Sequence, residues 1–244
     1  LQNTLDKLEV NAKELALSLE KEKVLGDLKT RFVSMASHEF RTPLTSILGS
    51  ATLIEKYSKA EDQPKREQHI NRIKSSVSHL TEILEEFLSV GKLEDGKLEI
   101  HPSEFSMQDF LQDILSDFST YNQSIRVELE ADFTCFQDVS ILRKVIFNGL
   151  SNALKFSQKE VVLSVFQEGT QVVITIKDQG IGISEEDQKH LFERFFRGGN
   201  ATVIQGTGLG LHLIDRYMRL MGGKVEIKSE LNQGTELLIK FPPK

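Results

Sequence analysis

Residues 70–87, INRIKSSVSHLTEILEEF, decide how the first third of the chain folds. The apolar residues of this stretch recur three and four positions apart, which is the heptad spacing of a helix that packs on another helix. They are Ile70, Ile73, Val77, Leu80, Leu84 and Phe87. Upstream, a second stripe with helical spacing consists of Phe40, Leu44, Ile47, Ala51 and Ile54. The polar segment 59–64 ends in a proline, so we predict two antiparallel helices joined by a turn there.

A single helical hairpin would leave each apolar stripe half covered. Pairing two hairpins into a four-helix bundle covers both stripes, so we predict that residues 31–94 form an all-α, dimeric unit and that the protein is a homodimer. Residues 1–30 carry an earlier heptad seam, which predicts an N-terminal signalling coiled coil. Its members are Leu5, Leu8, Ala12, Leu15 and Leu19. The seam should continue at Glu22 and Gly26, but the apolar positions restart at Leu25, which predicts a phase break.

The pattern changes after residue 94. Turn residues in 95–103 predict a linker, and residues 104–244 mix two kinds of element. Helical spacing occurs in 106–121 and 140–157, whereas β-branched or alternating runs predict strands at 161–166, 172–177, 225–228 and 236–241. Asn232-Gln233-Gly234 predicts a hairpin turn between the last two strands. Grouped helices and a largely antiparallel sheet indicate an α+β sandwich.

The composition excludes several classes of protein. The net charge is −6, with 36 acidic and 30 basic residues, which argues against a nucleic-acid-binding surface. Cys135 is the only cysteine, so the chain can form neither an internal disulfide nor a cysteine zinc site. No apolar run is long enough to span a membrane. Because the chain opens on Leu1 inside a helical pattern, we expect an upstream sensor domain that is missing here.

Residues 37–44, SHEFRTPL, combine a histidine, an acid and a proline on one helix. At about 100° per residue, His38 lies on the opposite face from the stripe that begins at Phe40, so we expect its ring to face solvent. A neutral imidazole is a nucleophile, and Glu39 can accept the proton of one ring nitrogen while the other attacks phosphorus. Thr42 follows one turn along on the same face. Pro43 cannot donate to the carbonyl of Glu39, which predicts a bend beside the histidine.

Three further segments have the residue types of a nucleotide site. Asn148, Asn152 and Lys155 share one helical face, and two amides with an ammonium suit hydrated Mg²⁺ and a polyphosphate. Residues 178–183, DQGIGI, follow a strand, where Asp178 can accept a hydrogen bond from an exocyclic amine and the glycines allow a flat ring to approach. Residues 206–211, GTGLGL, open a helix whose free N–H groups can bind phosphate. Neither the Rossmann nor the Walker pattern fits these glycines.

Residues 38–44, HEFRTPL, resemble the H box of sensor histidine kinases. The resemblance implies that His38 accepts the phosphoryl group, that Glu39 is its base, and that Thr42 supports hydrolysis of the partner's phosphoaspartate. The segment 148–156 resembles the N box of that family. This implies Asn148 as the Mg²⁺ ligand, with Asn152 and Lys155 at the phosphates and Phe156 in the same site.

The glycine segments resemble further boxes of this family, in the family's order. Residues 178–182 resemble the G1 box, which implies that Asp178 reads adenine beside Gly180 and Gly182; the family usually has asparagine where this chain has Gln179. Residues 192–197 resemble the F box, with Arg197 as the candidate contact of the γ-phosphate and Arg194 as the second choice. A lid is expected over residues 198–205. The G2 box and the last glycine-threonine pair supply the remaining nucleotide contacts: Gly206, Thr207, Gly208, Leu209, Gly210 and Thr235.

The resemblance covers residues 31–244 and implies a Bergerat (GHKL-type) ATP-binding fold behind the bundle. The implied activity is autophosphorylation of His38 from ATP with Mg²⁺, followed by transfer to an aspartate of a response regulator receiver domain. We expect this chain in the cytoplasm, and the interpretation leaves open a full-length protein anchored in a membrane through the missing upstream sequence. The hand of the hairpin loop decides whether transfer occurs within or between subunits. Two other interpretations are an ATPase of the gyrase and Hsp90 type and a scaffold or phosphatase-biased sensor that retains the fold.

Overall fold

The computed structural model describes the chain except for residues 1, 97, 119–123, 202, 203, 205 and 244, and except for most side chains before residue 33 and that of residue 60. The described chain divides into two compact units, Leu1–Thr81 and Glu82–Lys244. The division falls inside a helix, so the last turns of that helix belong to the second unit.

Two long helices form the first unit and its boundary. Helix α1 covers Gln2–Lys56 and helix α2 covers Gln63–Glu94, with a short 3₁₀ turn at Ala60–Asp62 between them. Arg66 stabilises this turn, because its guanidinium donates to the carbonyls of Tyr57 at 2.6 Å and Lys59 at 2.9 Å. The predicted turn is therefore confirmed, but its last residue, Pro64, lies in α2. A proline fits the first turn of a helix because its missing N–H would have no partner there.

Within one chain, the hairpin covers one side of α1 and leaves the other open. Glu39, Pro43 and Ser50 are buried, whereas Leu44 and Leu48 keep 55% and 69% of their surface exposed. Leu44 was predicted to be in a buried stripe, and in the single chain it is not. On α2, Ile70 and Val77 are likewise exposed apolar residues. A second hairpin, as predicted from the sequence, would cover these exposed apolar residues.

The N-terminal part of α1 is one uninterrupted helix. It passes through the predicted phase break at Glu22 and Gly26, although the side chains of Glu22 and Leu25 lie outside the described residues. Leu15 and Leu19 of the predicted seam are exposed, at 69% and 66%. Helix α1 also continues through Pro43, and the bend predicted there stays a prediction. No helix among the described residues is apolar over a length that could cross a membrane.

The second unit is an α+β sandwich, as predicted. Its strands are β1 Ser103–Ser106, β2 Ile125–Leu129, β3 Thr134–Gln137, β4 Val161–Glu168, β5 Gln171–Lys177, β6 Lys224–Glu230 and β7 Gly234–Phe241. Its helices are α3 Met107–Asp117, α4 Val139–Phe156, the short α5 Glu185–Gln188 and α6 Gly210–Leu220. The main sheet has the order β2-β4-β5-β7-β6, and only its β2–β4 pair is parallel. Strands β1 and β3 form a separate antiparallel pair.

The core of this unit lies between one face of the main sheet and helices α3, α4 and α6. It contains Leu150 on α4, Ile174 on β5 and Tyr217 on α6, each almost fully buried. Helix α4 begins at a strong cap, since the Asp138 carboxylate accepts from the backbone N–H groups of Ser140 and Ile141. This arrangement holds α4 across the sheet, where one side of the helix packs and the other is open to a ligand.

Three strands were not predicted, and one helix is shorter than expected. Strands β1, β2 and β3 each have only four or five residues. The helix predicted over 106–121 begins after Ser106, whose side chain caps it, and ends at Asp117. Residues 119–123 lie outside the described part of the chain.

Candidate active site

His38 is an exposed side chain next to a buried acid. Its side chain is 74% exposed, as predicted, whereas that of Glu39 is only 2% exposed. The Nδ1 atom of His38 lies 3.4 Å from Oε1 of Glu39. With Nδ1 turned towards the carboxylate, Nε2 is the ring nitrogen left for an incoming electrophile.

The second oxygen of Glu39 is unusual. Its Oε2 is buried and has no hydrogen-bond partner among the described residues. A buried carboxylate oxygen without a partner is unfavourable, so such groups occur where chemistry requires them or where a further partner binds. Glu39 is predicted as a base from the sequence, but its burial is not; the burial follows from its place on the covered face with Pro43.

Thr42 lies where the helical spacing put it, one turn beyond His38. It is exposed, and its hydroxyl lies 3.5 Å from the carbonyl oxygen of His38. Residue 43 is a proline, so it supplies no N–H to the carbonyl of Glu39. The backbone around the histidine therefore has weaker internal hydrogen bonding than an ordinary helix.

Helix α4 presents the predicted polar face. Asn148 and Asn152 are half-buried and Lys155 is exposed. The residue between the asparagines explains this orientation, because a Cβ atom on Gly149 would lie 2.6 Å from Cδ1 of Ile176 and 3.0 Å from Cδ2 of Leu237. Glycine at this position lets α4 pack closely on β5 and β7, and a Cβ atom there would force these two end methyl groups to shift. This role of Gly149 was not predicted from the sequence.

The structure brings the α4 residues together with the glycine segment before α6. A Cβ atom on Gly206 would lie 2.7 Å from Nζ of Lys155, and one on Gly210 would lie 3.5 Å from Nδ2 of Asn152. The ammonium therefore lies beside the segment that leads into α6, and the amide lies beside the first residue of that helix. That combination is suited to anionic oxygen atoms.

Asp178 follows β5 and is 7% exposed. Its Oδ1 accepts hydrogen bonds from the N–H of Gly180 at 2.7 Å and of Thr235 at 3.2 Å. Burial raises the pKa of this carboxyl above its ordinary value, and the two backbone hydrogen bonds act in the opposite direction. Because Oδ1 holds the loop and the start of β7, Oδ2 is the oxygen available to a ligand.

Glycines close the loops around Asp178. A Cβ atom on Gly180 would overlap the carbonyl of Phe156, and one on Gly182, whose φ is +62°, would overlap the carbonyl of Glu230. A Cβ atom on Gly234 would overlap the backbone of Asp178 itself. The end of α4, the loop after β5 and the β6–β7 hairpin thus pack backbone against backbone around Asp178. We call this arrangement the cradle, and a side chain at any of the three glycines would collide with it.

The two candidate arginines have protein partners in this structure. Arg197 donates from Nη2 to the carbonyl of Ala201 at 3.0 Å and also to the carbonyl of Ile204, so it holds the predicted lid. Arg194 forms an ion pair with Glu94 of α2. The lid includes a 3₁₀ turn at Gly199–Ala201.

The segment between the arginines and α6 has an unusual backbone. Phe195 has a φ of 64°, and its N–H donates to the carbonyl of Gly208 at 3.1 Å. The φ of Gly208 is 69°, and a Cβ atom there would lie 2.7 Å from the carbonyl oxygen of Phe196. A phenylalanine with positive φ is uncommon and is strained. Thr207, next to Gly208, is buried. Its hydroxyl donates to Glu86 and accepts from the N–H of Leu209.

Two family models match the chain. Residues 137–244 match "Histidine kinase-, DNA gyrase B-, and HSP90-like ATPase", and residues 28–96 match "His Kinase A (phospho-acceptor) domain". The first description leaves three kinds of protein open, and the second selects one of them. The chain belongs to the sensor histidine kinase family.

Individual histidine kinases align with nearly the whole chain. The sensor protein GacS of Pseudomonas syringae pv. syringae is 30% identical over 255 residues, covering 99% of this chain and 28% of GacS. The full-length structure of ShkA in complex with AMPPNP is 28% identical, with a TM-score of 0.61, and covers 84% of this chain and 44% of ShkA. Histidine kinase ThkA, solved in complex with the response regulator TrrA, shares the fold at 21% identity and a TM-score of 0.63, covering 92% of this chain and 64% of ThkA.

Two residues that were not predicted from the sequence, Ser229 and Asn200, support this kinase site. Ser229 donates to the carbonyl of Gly234 at 2.8 Å and accepts from the N–H of Ile183 at 2.9 Å, so it joins both sides of the cradle. Asn200 donates to the carbonyl of Gly182 at 2.8 Å. These residues lie in no recognisable motif. The contacts of Ser229 with Ile183 and of Asn200 with Gly182 join positions 46 and 18 apart in the sequence, so the sequence offers no signal for them.

His212 supports the segment 192–197, which contains both arginines. Its Nδ1 lies 2.8 Å from the carbonyl of Phe192, which identifies Nδ1 as the protonated nitrogen. Burial lowers the pKa of this imidazole, with a smaller contribution from the charges of Arg194 and Arg216, so His212 is neutral at neutral pH.

Proposed function

We propose that this chain is the catalytic core of a histidine kinase that autophosphorylates on His38 with ATP. The observation that carries the proposal is the exposed His38 ring with the buried Glu39 carboxylate 3.4 Å from its Nδ1. This geometry supports Nε2 as the nucleophile and Glu39 as the group that accepts or holds the Nδ1 proton.

The residues around Asp178 fit a purine nucleotide. Gly180, Gly182 and Gly234 let three backbone segments pack closely around Asp178, and Oδ2 of Asp178 can accept from the adenine amine. Thr235 donates to Asp178 and would hold it for that contact. We include Phe156 in the site because its carbonyl borders Gly180.

The phosphates would lie between α4 and the start of α6. We propose that Asn152 and Lys155 bind them from α4, and that the N–H groups of the glycine segment bind them from α6. That segment comprises Gly206, Thr207, Gly208, Leu209 and Gly210. Arg197 and then Arg194 are our candidates for the γ-phosphate, and Arg197 would have to exchange its lid carbonyls for phosphate oxygens.

We propose Asn148 as the one protein ligand of Mg²⁺. Among the described residues there is no group of three or more histidine, cysteine, aspartate or glutamate side chains that could hold a metal. Amide, phosphate and water oxygens would therefore make up the coordination shell, as Mg²⁺ accepts. Bound Mg²⁺ would neutralise charge on the phosphates during transfer.

In the transfer step, Nε2 of His38 forms a bond to the γ-phosphorus while the bond to the bridging oxygen breaks and its electron pair leaves with ADP. As the ring becomes positively charged, the Glu39 carboxylate accepts or holds the proton on Nδ1. We further propose that the phosphoryl group passes to an aspartate of a response regulator, which the phospho-acceptor match at 28–96 and the ThkA–TrrA complex support. Both partners would meet in the cytoplasm, where ATP and receiver domains occur.

A second activity, hydrolysis of the phosphorylated regulator, is proposed for Thr42. Its exposed hydroxyl lies one turn from His38 on the same face, 3.5 Å from the carbonyl of that residue. A hydroxyl there could orient water towards a phosphoaspartate docked on this face. We expect Thr42→Ala to retain autophosphorylation and to lose regulator dephosphorylation.

Labelling tests the main proposal. Incubation with γ-labelled ATP and Mg²⁺ should give acid-labile, base-stable label that is absent in His38→Gln. His101→Gln, which removes another exposed histidine, should label like the unaltered chain. Label that persists in His38→Gln would refute the assignment.

The chain spans only 28% of the length of GacS. What we say of the activity and partners of a whole protein that contains this chain is therefore also a proposal. We propose that sensing segments outside these 244 residues act through α1.

A further inference from the structure

The last turns of α2 pack against the nucleotide-binding domain. Residues 82–94 belong to the same compact unit as that domain, and Phe87, Val90 and Leu93 pack on its core. Two acidic residues of these turns, Glu86 and Glu94, are eight positions apart, close to the same side of the helix. The apolar contacts therefore place a pair of carboxylates beside the domain.

Each carboxylate engages a residue that we assign to the phosphates. Oε2 of Glu86 accepts a hydrogen bond from the hydroxyl of Thr207, and Oε1 of Glu94 pairs with Nη1 of Arg194. Thr207 is only 6% exposed, so its hydroxyl has little access to water as an alternative partner. Hydrogen bonds to charged groups are stronger than neutral ones, so both contacts hold the domain on α2.

A polyphosphate would compete with both contacts. Its oxygens are anionic acceptors, as carboxylates are, and a hydroxyl has only one proton to donate. In addition, phosphate beside Thr207 would lie close to the Glu86 carboxylate, and like charges repel strongly where solvent is partly excluded. The Thr207 hydroxyl therefore cannot donate to the carboxylate and to a phosphate at once. A phosphate at Arg194 would share the guanidinium with Glu94 and bring a second negative charge beside that carboxylate.

We propose that Glu86 and Glu94 form a latch that keeps the nucleotide-binding domain on α2 until polyphosphate binds and releases it. The inference rests on the proposed phosphate roles of Thr207 and Arg194. By linkage, the latch weakens polyphosphate binding by the same factor by which polyphosphate weakens the latch. Nucleotide loading thus frees the domain to carry its γ-phosphate to His38.

Affinity measurements on the full chain test the latch. We compare a non-hydrolysable ATP analogue with adenosine by titration calorimetry in the presence of Mg²⁺. The test variant is Glu86→Ala/Glu94→Ala, and the matched control is Glu85→Ala/Glu99→Ala, which removes two exposed carboxylates and the same charge. We expect the test variant to bind the analogue about tenfold more tightly, within the usual range of coupling between sites. The control should stay within about twofold of the unaltered chain, a few tenths of a kcal/mol.

Adenosine separates the latch from a general change in the pocket, because it lacks the phosphates. Its affinity should be equal in all three proteins. Equal affinity of all three for the analogue would overturn the latch while leaving the nucleotide site intact. A gain for adenosine as large as that for the analogue would also overturn it. If none of the proteins bound the analogue, the proposed function itself would fail, and the latch with it.

Hydrogen exchange gives a second measurement that needs no variant. In the unaltered chain, the analogue should speed amide exchange in residues 86–94, while adenosine should leave it unchanged. Slower exchange in these residues with the analogue would mean that nucleotide tightens the contact, which contradicts the latch.

Discussion

Asp178 uses one carboxylate oxygen for the fold and leaves the other for a ligand. Oδ1 accepts from two backbone N–H groups, and the side chain is 7% exposed. Burial raises the pKa of this acid, so the ionised form is disfavoured in the folded protein. Its contribution to the free energy of unfolding is therefore greatest below the pKa of an ordinary aspartate and falls as the pH rises through the folded-state pKa.

Because the pKa of Asp178 is raised, its ionised form costs stability at neutral pH, and this leads to a prediction for Asp178→Asn. The amide keeps an acceptor for Gly180 and Thr235 and removes a buried charge, so the free energy of unfolding at pH 7 should be unchanged or higher. Its NH₂ group would face the amine of adenine, so nucleotide affinity should fall at least about tenfold. Urea unfolding and calorimetric titration measure the two quantities. Gln179→Asn, at the exposed neighbouring position, is the control, and unaltered affinity in Asp178→Asn would remove Asp178 from base recognition.

Glu39→Gln tests the proposed base. The substitution keeps the size of a side chain that is 2% exposed but removes its ability to take the Nδ1 proton. Loss of a general base lowers rates by about 10²–10⁴-fold, so we expect much slower autophosphorylation with unchanged ATP affinity. Glu55→Gln, on an exposed position of α1, should behave like the unaltered chain. An unaltered rate of label incorporation in Glu39→Gln would show that the carboxylate takes no part in the chemistry.

The residues with chemical roles could be predicted from the sequence because their types and spacings carry the chemistry. His38 and Glu39 are adjacent, and Asn148, Asn152 and Lys155 share a helical face. Their partners could not be predicted, since these contacts arise only when the chain folds. The carboxylates that bind Thr207 and Arg194, for example, come from a helix at least 100 positions earlier in the sequence.

At the scale of elements, length decided which predictions succeeded. Long strands such as β4 and β5 carry enough alternating apolar residues to be recognised, although their observed bounds differ by up to two residues. Strands β1 and β3 have four residues each, and their pairing depends on a partner about 30 positions away. So short a segment has little local preference, and its strand conformation comes from the pairing itself.

The loops between elements allow a matched test of the cradle. Gly182 and Gly169 have the same φ of +62°, but only Gly182 faces backbone, the carbonyl of Glu230, while Gly169 has no atom within 4 Å of a Cβ position. Alanine at Gly169 should lower the free energy of unfolding by about 1–2 kcal/mol from backbone strain alone. Alanine at Gly182 should cost more, because the β6–β7 hairpin must also move away.

Chemical denaturation of the two glycine variants measures this difference, and nucleotide titration shows whether the cradle is lost with it. We expect Gly182→Ala to lose most of its nucleotide affinity and Gly169→Ala to keep it. Equal destabilisation of the two variants would mean that the contact with Glu230 does not constrain the loop.

At the scale of the whole molecule, the uncovered apolar residues of the hairpin require a partner. Leu44 and Leu48 on α1 and Ile70 and Val77 on α2 are between 40% and 69% exposed in the single chain. They recur at helical spacings along both helices, so they form stripes instead of scattered surface residues. A second hairpin supplies complementary stripes, which is the packing of a four-helix bundle.

We therefore expect the protein to scatter light as a particle of twice the mass of the 27.6 kDa chain. Leu44→Glu/Val77→Glu should convert it to a monomer, because four charges would meet at the bundle interface and each would lose water without gaining a partner. Leu220→Glu, which alters an exposed apolar residue at the end of α6, should remain dimeric. Since the nucleotide pocket lies in the other unit, the monomeric variant should still bind the ATP analogue, which separates loss of pairing from loss of folding. A single-chain mass for the unaltered protein at micromolar concentration would mean that the open stripes have some other occupant.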